Sequence, residues 1–174
     1  MALAADRATG FAPVARRDAR VLVLGSLPGL RSIAVHEYYA HPQNAFWPIM
    51  GELLGARGSY EERCAALLKS GIALWDVLAS SVRPGSLDAS IETESAEIND
   101  FARFFSRHGD IELICFNGQK AAQMFARAVL PGLAGSGFRT QTLPSTSPAY
   151  AAMTYDRKLL QWRNALGHYD WRSQ

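Results

Sequence analysis

The chain has 174 residues, of which 48% are hydrophobic and 20% charged, enough to enclose one good core and too few for two ordinary domains. A formal net charge of +2 with a sequence pI near 8.7 permits a polyanionic partner without demanding one. Cys64 and Cys115 stand far apart with no CxxC spacing, which argues against a zinc site, an iron–sulfur cluster or a disulfide framework and fits a reduced, cytoplasmic compartment.

The opening segment, residues 1–19, has no continuous apolar stretch and reads as a loose, partly basic arm, with one domain expected over 20–174. No later segment is apolar enough to span a bilayer, so no membrane is expected. Lys69, Lys120 and Lys158 are the only lysines, and every other basic side chain is an arginine, whose planar fork suits phosphate contacts.

Short apolar runs bounded by Gly, Pro or Ser predict buried parallel strands at 20–24, 72–78, 111–116 and 138–143. Helical patterns lie between them. AFWPIMGELLG follows Asn44, a plausible N-cap, and stops at Gly55. Ser59 and Glu62 form a capping box ahead of a helix running to about Lys69. Ile98, Phe101, Phe104 and Phe105 make an apolar face, and helices are expected at 119–130 and 156–166. Alternating strands and helices imply a three-layer α/β/α sandwich on a short, mostly parallel four-stranded sheet, with its ligand site at the carboxyl ends of the strands.

The loops at those ends carry unusual residues. GSLPG (25–29) is a tight turn that brings backbone N–H groups close to a ligand. It matches neither GxGxxG nor the GxxxxGK[ST] phosphate loop, and no acidic ribose-binding residue follows at the dinucleotide spacing, which disfavours a nucleotide-dependent small-molecule enzyme. YYAHPQNAFW (38–47) then adds aromatics and an amide.

GSLPG followed by YYAHPQNAFW resembles the mismatch-specific uracil-DNA glycosylases, where a GINPG turn precedes an AHPxNRFW segment, and more closely the hypoxanthine-DNA (deoxyinosine) glycosylase branch of that superfamily. GIALWDVL (71–78), RPGSLDASI (83–91), FNGQKA (116–121) and LPSTSPAYA (143–151) look like the remaining landmarks in order, so the resemblance covers about residues 20–162. It implies a monofunctional enzyme that flips a deaminated base out of double-stranded DNA and hydrolyses its N-glycosidic bond, working as a monomer with no cofactor and no metal. Alternatives are a uracil or mismatch enzyme, or an inert binder of damaged DNA.

The resemblance also suggests roles. Tyr39 stands where relatives carry a stacking aromatic. Leu27 occupies the place of the turn asparagine that orients water in the GINPG enzymes, and its side chain can hold neither water nor proton. Asn44 resembles the asparagine credited with catalysis in the hypoxanthine branch; its competing role is the helix cap. Asp76 stands where uracil-specific relatives place an asparagine, so an altered base preference is expected. Asn117 can supply a donor, or merely turn the chain before Gly118. Ser26, Leu27, Tyr39, Asp76 and Asn117 are thus the expected base-binding residues. Ser145, Thr146 and Ser147 are expected to meet DNA phosphates. His41 is expected to brace its loop, and Asp88 has no assigned role beyond a turn.

Overall fold

A computed structural model describes residues 7–167 of the chain. In chain order it contains β1 (Arg7–Thr9), β2 (Val21–Gly25), α1 (Leu30–Val35), α2 (Phe46–Leu54), α3 (Tyr60–Lys69), β3 (Ile72–Asp76) and β4 (Leu78–Val82). These are followed by β5 (Glu97–Ile98), α4 (Phe101–Arg107), β6 (Leu113–Asn117), α5 (Gln119–Ala128), β7 (Arg139–Leu143) and α6 (Tyr155–Leu166). The central sheet is four-stranded and parallel throughout, in the order β3-β2-β6-β7.

β2, β3 and β6 are buried along their whole length, which is why their sequences are continuous apolar runs rather than alternating ones. Alternation still decides which layer each side chain joins. Val21, Val23, Ile72, Leu74, Leu113 and Cys115 pack with Phe46, Ile49, Met50, Leu67 and Trp162 of the helices on one face. Leu22, Leu24, Ala73, Trp75, Ile114 and Phe116 pack with Phe101, Phe104, Met124 and Phe125 on the other. Two cores separated by one sheet make the expected three-layer α/β/α sandwich.

Local signals set several helix ends. Ser59 Oγ accepts from Glu62 N at 3.2 Å while Glu62 Oε2 accepts from Ser59 N at 2.7 Å, the reciprocal capping box. Pro48 falls in the first turn of α2, where its missing N–H has no helical partner to lose. Ile98 does not join the face of α4 as expected but sits in β5, because Asp100 caps that helix two residues later by accepting from Arg103 N.

Three further expectations need correction. The strand expected over 72–78 ends at Asp76, where Val77 N turns to donate to Gly25 O at 2.8 Å, and the chain continues as β4 in a second, antiparallel sheet of order β1-β4-β5. The loose arm is ordered from residue 7 onward: β1 pairs with β4, Val14 bridges Leu74, and Trp75 Nε1 donates to Phe11 O; residues 1–6 lie outside the described residues. Finally β7 is not buried. Only Leu143 is covered, and a polar face suits a sheet edge.

Candidate active site

Strand register brings the loop residues together. Gly25 lies beside Asp76 across β2 and β3, and Asn117 beside Leu143 across β6 and β7, so all four strand ends open at one level. There the loops enclose a cavity of about 520 Å³, the size of a site for a small organic molecule. Every residue assigned a role from the sequence lines it: Ser26, Leu27, Tyr39, Asn44, Asp76 and Asn117, together with Ser145, Thr146 and Ser147.

Gly25 is required by close approach. A β-carbon there would come within 2.5 Å of Asp76 Oδ1 and 3.0 Å of the Tyr39 hydroxyl. The rest of the turn is held from below by Arg83, which is 2% exposed and donates to the carbonyls of Leu27, Pro28 and Gly85. Three backbone acceptors would lose an ionic donor if that side chain were removed. Arg83→Ala is therefore expected to destabilise the protein by at least about 2 kcal/mol, measured as a lower urea midpoint at unchanged slope; a midpoint equal to wild type would refute the clamp.

The two tyrosines separate. Tyr38 is structural, its hydroxyl donating to Ala12 O and its carbonyl accepting from Trp47 Nε1. Tyr39 reaches the cavity through a left-handed backbone, φ +54°, which side chains other than glycine rarely adopt. Its ring lies on Phe46 with centroids 4.2 Å apart at 31°, and Phe46 and Trp47 are buried support for it, as expected. Burial, then the Asp76 carboxyl, hold the Tyr39 hydroxyl well above the usual phenol range, with Asn117 acting against them. It stays a protonated donor.

Asn44 is half-buried at the cavity wall. Helix α2 begins at Phe46 with Ala45 in the cap position, yet the Asn44 carbonyl oxygen still accepts from Phe46 N at 2.9 Å. That oxygen keeps a second lone pair, and the amide nitrogen has no hydrogen-bond partner among the described residues, so capping and chemistry need not compete. His41 Nδ1 accepts from Gln43 N at 3.1 Å, the brace expected of it.

Asp76 is 3% exposed. Burial first, and the neighbouring Asp88 next, push its carboxyl up to about 7, with Arg83 opposing them. Asp88 accepts a short hydrogen bond from the Ser26 hydroxyl. The residue left without a role thus ties the 83–91 segment to the turn after β2 and sets the charge beside Asp76. Ser26, expected to meet the base, is 6% exposed and spends its hydroxyl on that tie.

Asn117 and Thr146 are locked together: Asn117 Nδ2 donates to Thr146 Oγ1 and Asn117 Oδ1 accepts from Thr146 N, both at 2.9 Å. Thr146 is 1% exposed. Unlike its half-buried neighbours Ser145 and Ser147, it holds the loop and has no free surface for a phosphate. Gly118 has φ +95°, and a β-carbon on it would press within 3.1 Å of Ser145 Cβ. Lys158, 5% exposed, supports the same loop by donating to Ser147 O and standing 5.2 Å over the Tyr150 ring. Among the described residues no three His, Cys, Asp or Glu side chains converge as a metal site.

Sequence reasoning left out Arg83, the Ser26–Asp88 tie, and the exposed rim of Leu30, Leu87 and Tyr150. Arg83 gave one usable signal, an arginine in a Gly/Pro loop otherwise poor in charge. The tie spans 62 positions and gave none.

The model of the Uracil DNA glycosylase superfamily matches residues 12–166. A hypoxanthine DNA glycosylase of Methanosarcina acetivorans is 36% identical over 162 residues, 91% of this chain and 98% of the relative. A protein of the same name from Methanosarcina barkeri is 37% identical over 152 residues, 86% of this chain and 92% of its own. The solution NMR structure of a Methanosarcina acetivorans protein, described as a candidate uracil DNA glycosylase, superposes with a TM-score of 0.79 at 34% identity, covering 95% of this chain and 99% of that one.

Proposed function

The chain belongs to the uracil DNA glycosylase superfamily, and from that premise we propose that it removes hypoxanthine from DNA by hydrolysing the N-glycosidic bond of a flipped deoxyinosine. One observation carries the reading beyond family membership: Tyr39 and Asn44 of the loop between α1 and α2, Asp76 at the end of β3 and Ser145 of the loop after β7 line a single cavity at the carboxyl edge of the sheet. A duplex would meet the rim, where Arg31, Leu30, Leu87 and Tyr150 are exposed, with Ser145 and Ser147 at phosphates.

The extruded base enters beside Tyr39, in a cavity whose aromatic lining offsets part of the stacking lost from the duplex. Asn44 holds the attacking water through the free lone pair of its carbonyl and through its amide hydrogens. The glycosidic C–N bond breaks with its electron pair passing to the base. Water oxygen bonds the sugar carbon and gives its extra proton to solvent, and the departing base takes one up. The family resemblance and the two widely spaced cysteines support a monomer working in the cytoplasm. No helix of the described residues is long and apolar enough to cross a membrane.

Duplexes containing inosine, uracil or xanthine, incubated with purified protein and then cleaved at abasic sites with alkali, test the proposal. Scission is expected first and fastest at inosine. Preference for uracil would move the enzyme to the pyrimidine branch, and tight binding without scission would make it an inert damage binder, the reading that Leu27 in the turn favours.

A further inference from the structure

Two polar atoms beneath the cavity have no hydrogen-bond partner at ordinary distance among the described residues: the Tyr39 hydroxyl oxygen and Asp76 Oδ2. They belong to neighbouring groups, since the Asp76 carboxyl and the Tyr39 hydroxyl both lie within 3.0 Å of the one point a Gly25 β-carbon would occupy. Buried polar groups are normally paired, and one left alone costs free energy. Two left alone side by side, under a ligand-sized cavity, are better explained by a ligand than by chance.

Asn44 and His41 keep free atoms at the cavity wall, but the polar groups nearest this pair are committed. Ser26 is given to Asp88, and Asn117 is bound to Thr146 in both directions while its side chain acts as a donor toward the Tyr39 oxygen, leaving the hydrogen of that hydroxyl free. What remains at this depth is one phenolic donor beside one carboxyl acceptor. The edge that complements this pair carries a carbonyl next to a ring N–H, as the six-membered ring of a 6-oxopurine does. Both residues line the cavity, and binding in this way requires a side-chain adjustment that brings the two atoms to its surface.

Resting on the glycosylase reading, we infer that the Tyr39 hydroxyl donates to O6 of the flipped base while Asp76 accepts its N1–H, so that Tyr39 meets the base edge-on as a catalytic residue rather than face-on as a stacking platform. As the glycosidic bond breaks, the electron pair left on the base spreads to O6, and the Tyr39 hydrogen bond strengthens there. A fixed donor placed where negative charge develops lowers the barrier more than it tightens ground-state binding. Such a donor supplies electrophilic help in a site whose Ser/Thr loop carries no histidine.

The test pairs one hydroxyl with one substrate oxygen. Tyr39→Phe keeps the ring on Phe46 and removes only the donor. Single-turnover release is measured from duplexes containing deoxyinosine or 2′-deoxynebularine, whose purine lacks both O6 and N1–H. Release of hypoxanthine is expected to slow about a hundredfold, while release of purine, slow from the start, stays within about twofold of wild type. Asp76→Asn, measured on the same two duplexes, is expected to lose more on inosine than on nebularine. Equal losses on both bases in Tyr39→Phe would mean a structural tyrosine, and no loss on inosine would mean an idle hydroxyl; either overturns the inference. Wild-type protein that leaves inosine intact overturns the hypoxanthine reading on which the inference rests, and that arm is read before either variant.

Discussion

Replacing Asn44 by alanine is expected to slow base release about a thousandfold under single-turnover conditions, the usual scale for removing a group that positions or deprotonates the nucleophile, while the protein remains folded. The fold cost is separable because the capping bond to Phe46 N is a single side-chain acceptor, worth about 1 kcal/mol. Thermal unfolding should therefore show a shift of a few degrees, not a collapse. Asn44→Asp distinguishes the two ends of the amide. A carboxylate still accepts from Phe46 N and sits favourably at a helix start, so the variant should be as stable as wild type. If it retains release within about tenfold, the working atom is the carbonyl oxygen; if it is as slow as alanine, the amide hydrogens do the work. An alanine variant that releases base at the wild-type rate would remove Asn44 from the mechanism.

Burial and pattern explain which parts of the molecule were legible beforehand. β2, β3 and β6 announce themselves because strands covered on both faces admit few polar residues, and Val21 to Leu24 could hardly be anything else. β4 has the sequence LASSV, whose serines lower its apolar signal, and it exists because β1 and Glu97–Ile98 pair with it from either side. β1 has three residues and no local preference to read; its order is tertiary. The site divides in the same way. Tyr39, Asn44 and Asp76 were found through motifs following each strand, while the Asn117–Thr146 clamp was invisible because a polar side chain serving the loop looks the same in sequence as one serving a ligand. Arg83 and Asp88 act across more than 50 positions, a distance at which no spacing rule operates.

Asp76 gives the second large effect, and it is one of sign. Folding raises its carboxyl from the usual carboxylate range to about 7, so between about pH 4 and pH 7 the native protein binds a proton that the unfolded chain has released. Stability must then fall as pH rises through that window and level off above about pH 8. The full penalty is on the order of 4 kcal/mol, relative to a side chain that stays neutral. Asp76→Asn removes the titration, so this variant is expected to be more stable than wild type at pH 8, with the difference closing below pH 4, as read from urea midpoints at both pH values. Asp88→Asn should act in the same direction but more weakly, because Asp88 is the second cause of the shift, after burial. Activity should change in the same direction. Above pH 7 an ionised Asp76 faces a base that departs with negative charge, so wild-type single-turnover release should decline there, and Asp76→Asn should show no inflection near 7. A wild-type protein whose stability rises steadily from pH 4 to pH 8, or an asparagine variant that keeps the inflection, would show that the carboxyl is ionised throughout and that the cavity floor is wetter than its geometry implies. A site that gives up stability at neutral pH to keep a carboxyl unpaired under its ligand is strained for the sake of its substrate, which is the usual relation between a binding pocket and the fold that carries it.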